Sequence, residues 1–502
     1  MAMLIVVHEV MRFLRKGMVI CMSDNNYEQT LAHVNTYSKP TELKITDMRF
    51  ANLAGAPYPC VMLKIYTNQG LVGFGEVRDM ASKTYALMLK GRILGENPCN
   101  VDKIFRRIKQ FGYHGRQGGG VSGIEIALWD LAGKAYGAPV YQMLGGKFRD
   151  KMRIYCDTDA DMTEDRTAGE AMGHALLERL KRGYTLLKMD LGIGLLRDKD
   201  GMLSYPLGSM EENAAFNREA FKQYPPLWGS GHAEARRKIR EVSDINELAD
   251  RIYARNNAYD HMRVLHPFTG IQITEAGLDY LEQYVADVRR IIGLKVPLAL
   301  DHFGKIGVEE IIKLAHRLEK YNIAWLEDPI AWCHTAQWKR LVESTTIPIC
   351  TGEEIYLADN FLPLMESGGV SIVHPDALTS GGILETKKLG DLAQKYGVRM
   401  ALHQAATPIH AMAAAHIGVA TENCWACEFH ANDVPWWDDL IISRMKKPLI
   451  QDGFIEAPDL PGLGIDELND EVIKEQISDF TPGLWEPTDE WNHEYSVDSI
   501  WN

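Results

Sequence analysis

The feature that most constrains this chain is a series of apolar segments that each stop at an acidic residue or a histidine. Candidate strands of this kind end, from residue 151 onward, at Asp159, Asp190, Asp301, Glu327, Glu353, Asp376, His403 and Glu428. The last six positions are 23 to 27 residues apart, enough for one strand, one loop and one helix. Short strands that alternate with helices favour parallel βαβ units. The pattern therefore predicts a (β/α)8 barrel with its chemistry at the carboxyl ends of the strands.

A different pattern precedes the barrel. From Leu43 to Val77 apolar and polar residues alternate, and "NQG" at residues 68–70 lies between two such runs as a hairpin turn. Helical periodicity follows as far as residue 146. We therefore expect an α/β protein made of an N-terminal extension (1–42), an α+β capping domain (43–150) and a barrel domain (151–449).

One long interval interrupts the rhythm of the barrel. Lys188 and Asp301 are 113 residues apart, and the excess forms an insert over about 193–275 that is rich in Gly, Pro, Asn and aromatic residues. A loop that follows a barrel strand lies over the active face, so the insert is predicted to be a lid or a source of substrate contacts. An oligomer-contact element is the alternative.

Composition limits the partners and the compartment. The net charge of −14 and the pI of about 5.6 give no overall attraction to nucleic acid or to an anionic membrane. No run of eighteen apolar residues is present. The eight scattered cysteines suit reduced thiols, and Cys424 and Cys427 suit a strand better than a redox or zinc pair. We expect a cytoplasmic protein; residues 1–21 are either an ordered arm or the product of an upstream start codon.

Three carboxylates close consecutive predicted strands and suit a metal. Asp301, Glu327 and Glu353 end the segments "PLALD", "IAWLE" and "IPICTGE". Hard oxygen ligands that converge on one point favour Mg²⁺. The alternative of three independent salt-bridged carboxylates needs three coincidences at equal spacing. Glu354 competes for the third position, but the strand pattern favours Glu353.

The neighbouring strand ends offer acid–base groups. Asp376 and His403 close adjacent strands, and a carboxylate bonded to imidazole fixes the tautomer and raises its basicity. Lys188 ends "TLLK", and we expect a depressed pKa that makes it a base opposite His403. Asp190 could orient Lys188 or bind a substrate hydroxyl. Glu428 could bind a substrate carboxylate if protonated, or pair with Lys188 if ionised.

These residues resemble the enolase superfamily, in particular its mandelate racemase subgroup. The similarity runs from about Leu43 to Glu467, and "SGIEIALWDLAGKAYGAPVYQMLGG" resembles the first signature of the family. Asp301 with "LEDP" and "GE" resembles its metal triad. Asp376 and His403 match the Asp-His dyad of the subgroup, and Glu428 matches its carboxylate on the last strand. "PDLPGLGIDE" resembles the segment that returns to the capping domain, so about 450–502 is expected to join that domain.

The resemblance implies a shared first step, in which a bound Mg²⁺ and electrophilic groups hold a substrate carboxylate while a base removes the α-proton. One Mg²⁺ per subunit, a homo-oligomer and a sugar acid or related carboxylate as partner are expected. Dehydration to a 2-keto-3-deoxy acid is the preferred reaction, with racemase, epimerase or cycloisomerase as the alternative and a non-catalytic metal-binding barrel as the rival.

Two positions depart from the subgroup's usual pattern. Lys188-Met189-Asp190 replaces Lys-x-Lys, which leaves one lysine at that strand. "DHFG" places His302 beside Asp301, where it is a candidate substrate contact. In the capping region, Arg116 of "YHGRQGGG" is a further candidate to bind a sugar acid.

Overall fold

The computed structural model describes residues 38–115, 120–160, 165–196, 199–204, 244–247, 249–250, 272–304, 306–478 and 483–494. Arg116, residues 1–37 and most of the predicted insert lie outside these ranges. Within them, no helix has the length and apolar character needed to cross a membrane.

Strands and helices alternate along the described residues. The strands are β1 (Ile45–Leu53), β2 (Cys60–Thr67), β3 (Val72–Val77), β4 (Lys151–Cys156), β5 (Leu187–Asp190), β6 (Leu203–Ser204), β7 (Gln272–Ile273), β8 (Leu298–Asp301), β9 (Ile323–Glu327), β10 (Ile349–Thr351), β11 (Ile372–Val373), β12 (Arg399–Leu402), β13 (Cys424–Phe429), β14 (Ile441–Ile442), β15 (Ile450–Gln451), β16 (Phe454–Glu456) and β17 (Glu467–Leu468). The helices are α1 (Thr84–Leu87), α2 (Lys90–Ile93), α3 (Val101–Gly115), α4 (Gly120–Tyr136), α5 (Val140–Met143), α6 (Ala168–Lys181), α7 (Glu275–Ile292), α8 (Val308–Leu318), α9 (Thr335–Ser344), α10 (Leu362–Ser367), α11 (Ile383–Lys395), α12 (Pro408–Val419) and α13 (Asp470–Glu475).

Eight parallel strands close into a barrel, as the spacing of the strand ends predicted. They follow one another as β4, β5 and β8 to β13, and β13 pairs with β4 to complete the ring. Parallel neighbours need a crossover connection, and helices α6 to α12 provide it. The first strand ends at Cys156 and not at Asp159, because Cys156 is the last residue of β4 with a partner on β5.

The inside of the barrel explains why acidic residues end apolar strands. A closed layer of buried side chains fills its centre: Tyr155, Leu186, Ala299, Ala324, Trp325, Cys350, Ile372, Ala401 and Ala426. Side chains alternate along a strand, so the residue two positions further on also faces inward, one layer nearer the carboxyl end. Glu327 follows Trp325 in this way, and Asp301 and Glu428 follow their alanines. The strand pattern thus places three carboxylates inside the mouth.

The helices bury the faces that their apolar periodicity dictates. In α8 the buried positions Val308, Ile311, Leu314 and Leu318 recur every three or four residues. Helix α6 begins with a capping box, in which the Thr167 hydroxyl accepts from the backbone N–H of Glu170 and the Glu170 side chain accepts from the backbone N–H of Thr167. Helix α12 is buried along its whole length, because it packs between β13 on one side and the capping domain on the other.

The capping domain consists of an antiparallel sheet in the order β1-β2-β3 and the helices α1 to α5. The predicted hairpin joins β2 to β3, and Gly70 supplies the positive φ of 80° in its turn. Helix α4 lies directly on β3. A methyl group at Gly75 would come within 2.1 Å of the Gly123 carbonyl oxygen, so the two elements can approach only because both positions are glycine.

The C-terminal segment contacts both domains. The hairpin β15–β16 pairs antiparallel with β4 of the barrel. Further along, Ile477 and Leu484 bridge to Leu53 and Ala51 of the capping sheet. The predicted division near residue 450 and the other domain boundaries stay predictions.

Both ends of the predicted insert are held together where it leaves the barrel. Strands β6 and β7 pair antiparallel over two residues each, and the Thr274 hydroxyl donates to Gly201 O at 2.7 Å. The 67 residues between them include two short described segments, 244–247 and 249–250. The lid and oligomer-contact hypotheses fall largely outside the described residues and stay predictions.

Buried carboxylates connect the capping domain to the barrel helices. Glu76 of β3 accepts hydrogen bonds from the backbone N and the hydroxyl of Thr407, the cap residue of α12. Glu125 of α4 accepts from the backbone N of Ile383 at 2.7 Å and of Leu384 at 3.1 Å, at the start of α11. The first N–H groups of a helix have no acceptor within the helix, so two helices of the barrel begin on carboxyl groups that the capping domain supplies.

Candidate active site

Lys188 lies at the centre of the barrel mouth and is surrounded by carboxylates. Its Nζ is 2.7 Å from Asp301 Oδ2, 2.5 Å from Glu327 Oε1 and 2.8 Å from Glu428 Oε1. The four side chains come from β5, β8, β9 and β13 and are all buried. The structure thus brings together four of the residues that the strand-end pattern singled out.

Among these carboxylates alone the pKa of Lys188 is shifted in the direction opposite to the one expected for a lysine beside a divalent metal, and that expectation stays a prediction. Burial alone would lower the pKa of the ammonium group, but Asp301, Glu327 and Glu428 outweigh it and raise the pKa well above its usual value. Conversely, although burial opposes ionisation of Glu428, Lys188 and His430 hold the pKa of this carboxyl well below its usual value. Glu428 is therefore ionised and paired with Lys188, which is the second of the two states considered for it from the sequence.

Asp376 and His403 form the expected pair. Their backbones make a parallel bridge just beyond β11 and β12, and His403 Nδ1 is 2.6 Å from Asp376 Oδ2. The other ring nitrogen, Nε2, is 3.0 Å from Glu353 Oε2 and 4.0 Å from Glu428 Oε2. Asp376 therefore fixes the ring from behind and leaves Nε2 directed at the two glutamates.

Arg78, which sequence reasoning missed, completes this pair from the capping domain. It follows β3, its Nη1 makes a short contact with Asp376 Oδ2, and the same atom lies 3.0 Å from His403 Nδ1. Its Nη2 is 3.8 Å from Glu353. Burial and Arg78 act in opposite directions on Asp376, and the net effect holds the pKa of this carboxyl far below its usual value.

The pKa of His403 reflects the same neighbours. Burial would lower it, but Glu353 and Asp376 raise the pKa to about 9, against the opposing charge of Arg78. The imidazole is thus protonated as long as Glu353 carries an unscreened charge.

The remaining candidates are placed as follows. Asp190 pairs in register with Asp301 on the neighbouring strand. His302 adopts a positive φ of 56°, its side chain is 65% exposed, and its Nε2 is 3.6 Å from Asp301 Oδ2. Glu354 is 53% exposed against 24% for Glu353, which agrees with the preference for Glu353. Arg116 lies outside the described residues.

A second buried layer supports the carboxylates from below. The Trp325 indole N–H donates to Glu327 Oε2 at 2.7 Å, and the Tyr155 hydroxyl donates to Glu428 Oε2 at 3.1 Å. His374 Nε2 is 2.7 Å from the same hydroxyl. Burial lowers the pKa of His374 to about 3, so this ring is neutral and able to accept or donate one proton.

His430 is a further cavity residue that the strand-end pattern did not include. It follows Glu428 by two positions, and its Nε2 lies 3.1 Å from Glu428 Oε1. His374 precedes Asp376 by the same interval. A rule that adds the residues two positions before and after each strand-end acid would have found both, because such residues share the inward face of a strand.

These groups line a cavity of about 530 Å³ at the junction of barrel and capping domain. Its wall includes Tyr58, Arg78, Asp79, Met80, Ala81, Tyr85, Lys188, Asp301, His302, Glu353, Glu354, Thr379, His403, Ala405 and His430. Two of its wall residues, Met80 and His302, hold positive φ angles. Non-glycine residues in this region are strained and concentrate at functional sites.

The donor set of the mouth fits a hard divalent cation. Asp301 and Glu327 both direct an oxygen to one positive group, Lys188 Nζ, and Glu353 faces the same cavity from the side of His403. All three supply carboxylate oxygens, which Mg²⁺ and Ca²⁺ prefer. The tightest ligand groups among the described residues are different ones, Glu327 with Cys350 and His374, and Glu428 with His403 and His430.

Comparison with known proteins agrees with this architecture. The family model described as "Mandelate racemase / muconate lactonizing enzyme, N-terminal domain" matches residues 27–145. The model described as "Enolase C-terminal domain-like" matches residues 247–472. Together the two models cover the capping sheet and helices and six of the eight barrel strands.

Individual relatives extend the match across nearly the whole chain. D-xylonate dehydratase of Haloferax volcanii is 30% identical over 88% of this chain and 93% of its own length. D-galactonate dehydratase of Ralstonia pickettii is 26% identical over 90% and 98%. The crystal structure of a mandelate racemase/muconate lactonizing enzyme-like protein from Rubrobacter xylanophilus superposes with a TM-score of 0.68 at 25% identity, covering 88% of this chain and 99% of that one. The chain therefore belongs to the mandelate racemase/muconate lactonizing enzyme family of the enolase superfamily.

Proposed function

We propose that this protein is a Mg²⁺-dependent hydro-lyase that dehydrates a sugar acid to a 2-keto-3-deoxy acid. Relatives that align over most of the chain are named sugar-acid dehydratases. The single observation that carries the proposal is the Asp376–His403 pair, whose free nitrogen faces a cavity that also contains Lys188, Asp301 and Glu353.

Asp301, Glu327 and Glu353 would hold the metal, since Asp301 and Glu327 end β8 and β9 and Glu353 follows the end of β10 by two residues. Members of the enolase superfamily bind a divalent metal, and a bound Mg²⁺ would supply Lewis-acid stabilisation of charge that develops on the substrate carboxylate. The Lys188 ammonium group lies among the same carboxylates and adds a fixed positive charge there.

His403 is proposed to remove the proton on the α-carbon at Nε2. The Nδ1–H of His403 donates to Asp376, and Arg78 holds the same carboxylate, so the orientation of the ring is fixed. A cation held by Glu353 would offset the charge that now raises the pKa of His403, and the neutral imidazole needed for a base would become accessible near neutral pH. Loss of the β-hydroxyl as water then leaves an enol, which gains a proton at the β-carbon to give the 2-keto acid.

The substrate is proposed to be a linear sugar acid of five or six carbons. A cavity of about 530 Å³ accommodates a small carboxylate with several hydroxyl groups, and the relatives act on D-xylonate and D-galactonate by name. Asp190, His302 and Arg116 stay predicted contacts for the hydroxyl end. A homo-oligomer also stays a prediction.

The proposal is tested by incubation with Mg²⁺ and a panel of pentonates, hexonates and hexarates in D2O, followed by NMR and a 2-keto acid assay. Formation of a 2-keto acid from one member is the expected result. Deuterium at the α-carbon without 2-keto acid would replace dehydration by racemisation, epimerisation or cycloisomerisation.

A His403→Asn variant is the matched test of the base. It is expected to bind Mg²⁺ but to lose both α-deuterium exchange and dehydration. Unchanged turnover in this variant would remove His403 from the mechanism.

A further inference from the structure

The second imidazole in the cavity, His430, is held in a way that repeats the arrangement around His403. Its Nδ1 lies 3.5 Å from Asp157 Oδ2, in the loop after β4, and its side chain is 10% exposed. The His403 and His430 rings are 5.9 Å apart between centroids. Two oriented imidazoles at this separation can reach adjacent carbons of one small substrate.

Glu428 stands between the two rings. One of its oxygens is 4.0 Å from His403 Nε2 and the other is 3.1 Å from His430 Nε2. The edge of the Tyr58 ring packs against His430 from the capping domain, with centroids 5.7 Å apart. The order Asp376–His403–Glu428–His430–Asp157 therefore places a carboxylate behind each imidazole and one between them.

His430 Nε2 and Glu428 Oε1 lie 3.1 Å apart, at ion-pair distance, in the space between the two imidazole rings. Both are buried, and neither makes a hydrogen bond of acceptable geometry within the described residues, although Glu428 Oε1 is ion-paired with Lys188. Buried polar atoms without a hydrogen bond are uncommon in native structures. A hydroxyl group accepts one hydrogen bond and donates another, so a substrate hydroxyl placed here would satisfy both atoms.

We infer that His430 is the catalytic acid that protonates the leaving β-hydroxyl group, an inference that rests on the proposed dehydratase function. His403 takes the α-proton, and the electron pair of that C–H bond forms the new double bond to the β-carbon. The C–O bond at the β-carbon breaks as the oxygen takes the proton from His430 Nε2, and water leaves. His430 ends neutral, and the enol gains a proton at the β-carbon to yield the ketone. No oxidant or reductant is needed.

The surroundings of His430 suit an acid. Burial opposes protonation, but Glu428 and Asp157 raise the pKa of the imidazole above its usual value. Its role is distinct from that of His403. The Nε2 atom of His403 contacts Glu353, a proposed metal ligand, and is proposed to take the α-proton.

The test uses a His430→Gln variant of the full chain with D-xylonate and D-galactonate, and with the 3-deoxy-3-fluoro analogue of whichever acid the wild type dehydrates. We expect dehydration to fall by about 100- to 10,000-fold, the range typical of a lost general acid. Deuterium exchange at the α-carbon should persist, because His403 is intact. Loss of fluoride should stay within a few-fold of wild type, since fluoride leaves without a proton.

Three results decide between outcomes. A wild type that forms no 2-keto acid from any sugar acid overturns the proposed function and this role together. A wild type that dehydrates, beside a His430→Gln variant of equal rate, overturns only the role of His430. Equal losses with hydroxyl and fluoro substrates would make His430 a structural residue. His316→Gln, an exposed histidine that contacts only Ser344 O among the described hydrogen bonds, is the matched control, and a His430→Asn variant repeats the test if the glutamine variant does not fold.

Discussion

Two sets of carboxylates are used in different ways in this molecule. Glu76 and Glu125, at the interface of capping domain and barrel, accept hydrogen bonds from backbone N–H groups at helix starts. Asp301, Glu327 and Glu353, at the barrel mouth, contact the side-chain cations Lys188, Arg78 and His403 instead. Glu76 and Glu327 are equally inaccessible to solvent. The type of partner therefore separates the two sets, whereas depth of burial does not.

The difference has a physical consequence. A backbone N–H is fixed by its helix and cannot leave, so the interface acids stabilise one arrangement of the fold. A side-chain cation can be displaced by another cation, so the acids of the mouth can exchange partners when a metal or substrate arrives.

Glu327→Gln is expected to produce the largest loss. The amide cannot supply the charge that holds a divalent cation, so turnover should fall by about 100- to 1000-fold, as for other lost electrostatic groups. Calorimetry should show weaker Mg²⁺ binding, while thermal unfolding stays cooperative. Glu309→Gln, at an exposed pair with Arg340, is the control. A variant with wild-type turnover would remove Glu327 from the metal site.

Arg78→Gln is expected to have an intermediate effect. The variant loses the group that contacts both Asp376 and His403 Nδ1, so the base is less well oriented. We expect kcat to fall by about 10- to 100-fold, as for other lost orienting partners, with KM changed little. Arg78→Lys should recover only part of the loss, because an ammonium group lacks the fork of a guanidinium.

The control for Arg78 is Arg106→Gln, an exposed arginine of the same domain that pairs with Asp102. A rise in KM at constant kcat would contradict the orienting role and make Arg78 a substrate contact.

Glu125→Gln should affect stability and leave the chemistry intact. One carboxylate oxygen that accepts from Ile383 N or Leu384 N is replaced by an NH2 group, which faces a backbone donor. We expect the free energy of unfolding at pH 5 to fall by about 1–3 kcal/mol, the usual result of an unsatisfied buried group. Urea unfolding measures the change, and turnover of the folded variant should match wild type. A loss of activity without loss of stability would place Glu125 in the functional set.

The pH dependence of stability is the sharpest test of the interface set. Burial raises the pKa of Glu125 from 4.5 to about 8, and hydrogen bonds from Leu384 and Ile383 only partly offset it. The folded state thus binds a proton that the unfolded state releases between pH 4.5 and 8, so this contribution to stability is present below pH 4.5 and is lost as pH rises to about 8. The stability difference between wild type and Glu125→Gln should shrink over this range; a difference that grows would reverse the assigned sign.

Much of this arrangement follows from the sequence because strand periodicity is a local property. The run "IAWLE" ends on Glu327, and the period of two that puts Trp325 inside the barrel also puts Glu327 inside. The spacing of strand ends then predicts that Asp376 and His403 are neighbours, which their parallel bridge confirms. The C-terminal end of β4 could not be predicted in this way, because it depends on where the neighbouring strand stops pairing with it.

Two features depend on long-range contacts and were not predictable in this way. Arg78 lies 298 positions from Asp376 along the chain, and nothing in "GEVRDM" indicates that this residue meets the barrel. The protonation of Lys188 depends on three carboxylates from three other strands. A sequence pattern gives the list of charged groups at the mouth but not the net field that each one experiences.

The short ribbon of β6 and β7 gives the barrel an unusual freedom to change. The chain leaves and re-enters the barrel at the pair of strands β6 and β7. The number of residues between these two strands therefore has little effect on the register of β5 and β8. Closing a longer or shorter excursion alters the chain entropy only slowly with length. This junction is thus a natural graft site, where segments of different length can be exchanged while the strands of the barrel stay in place.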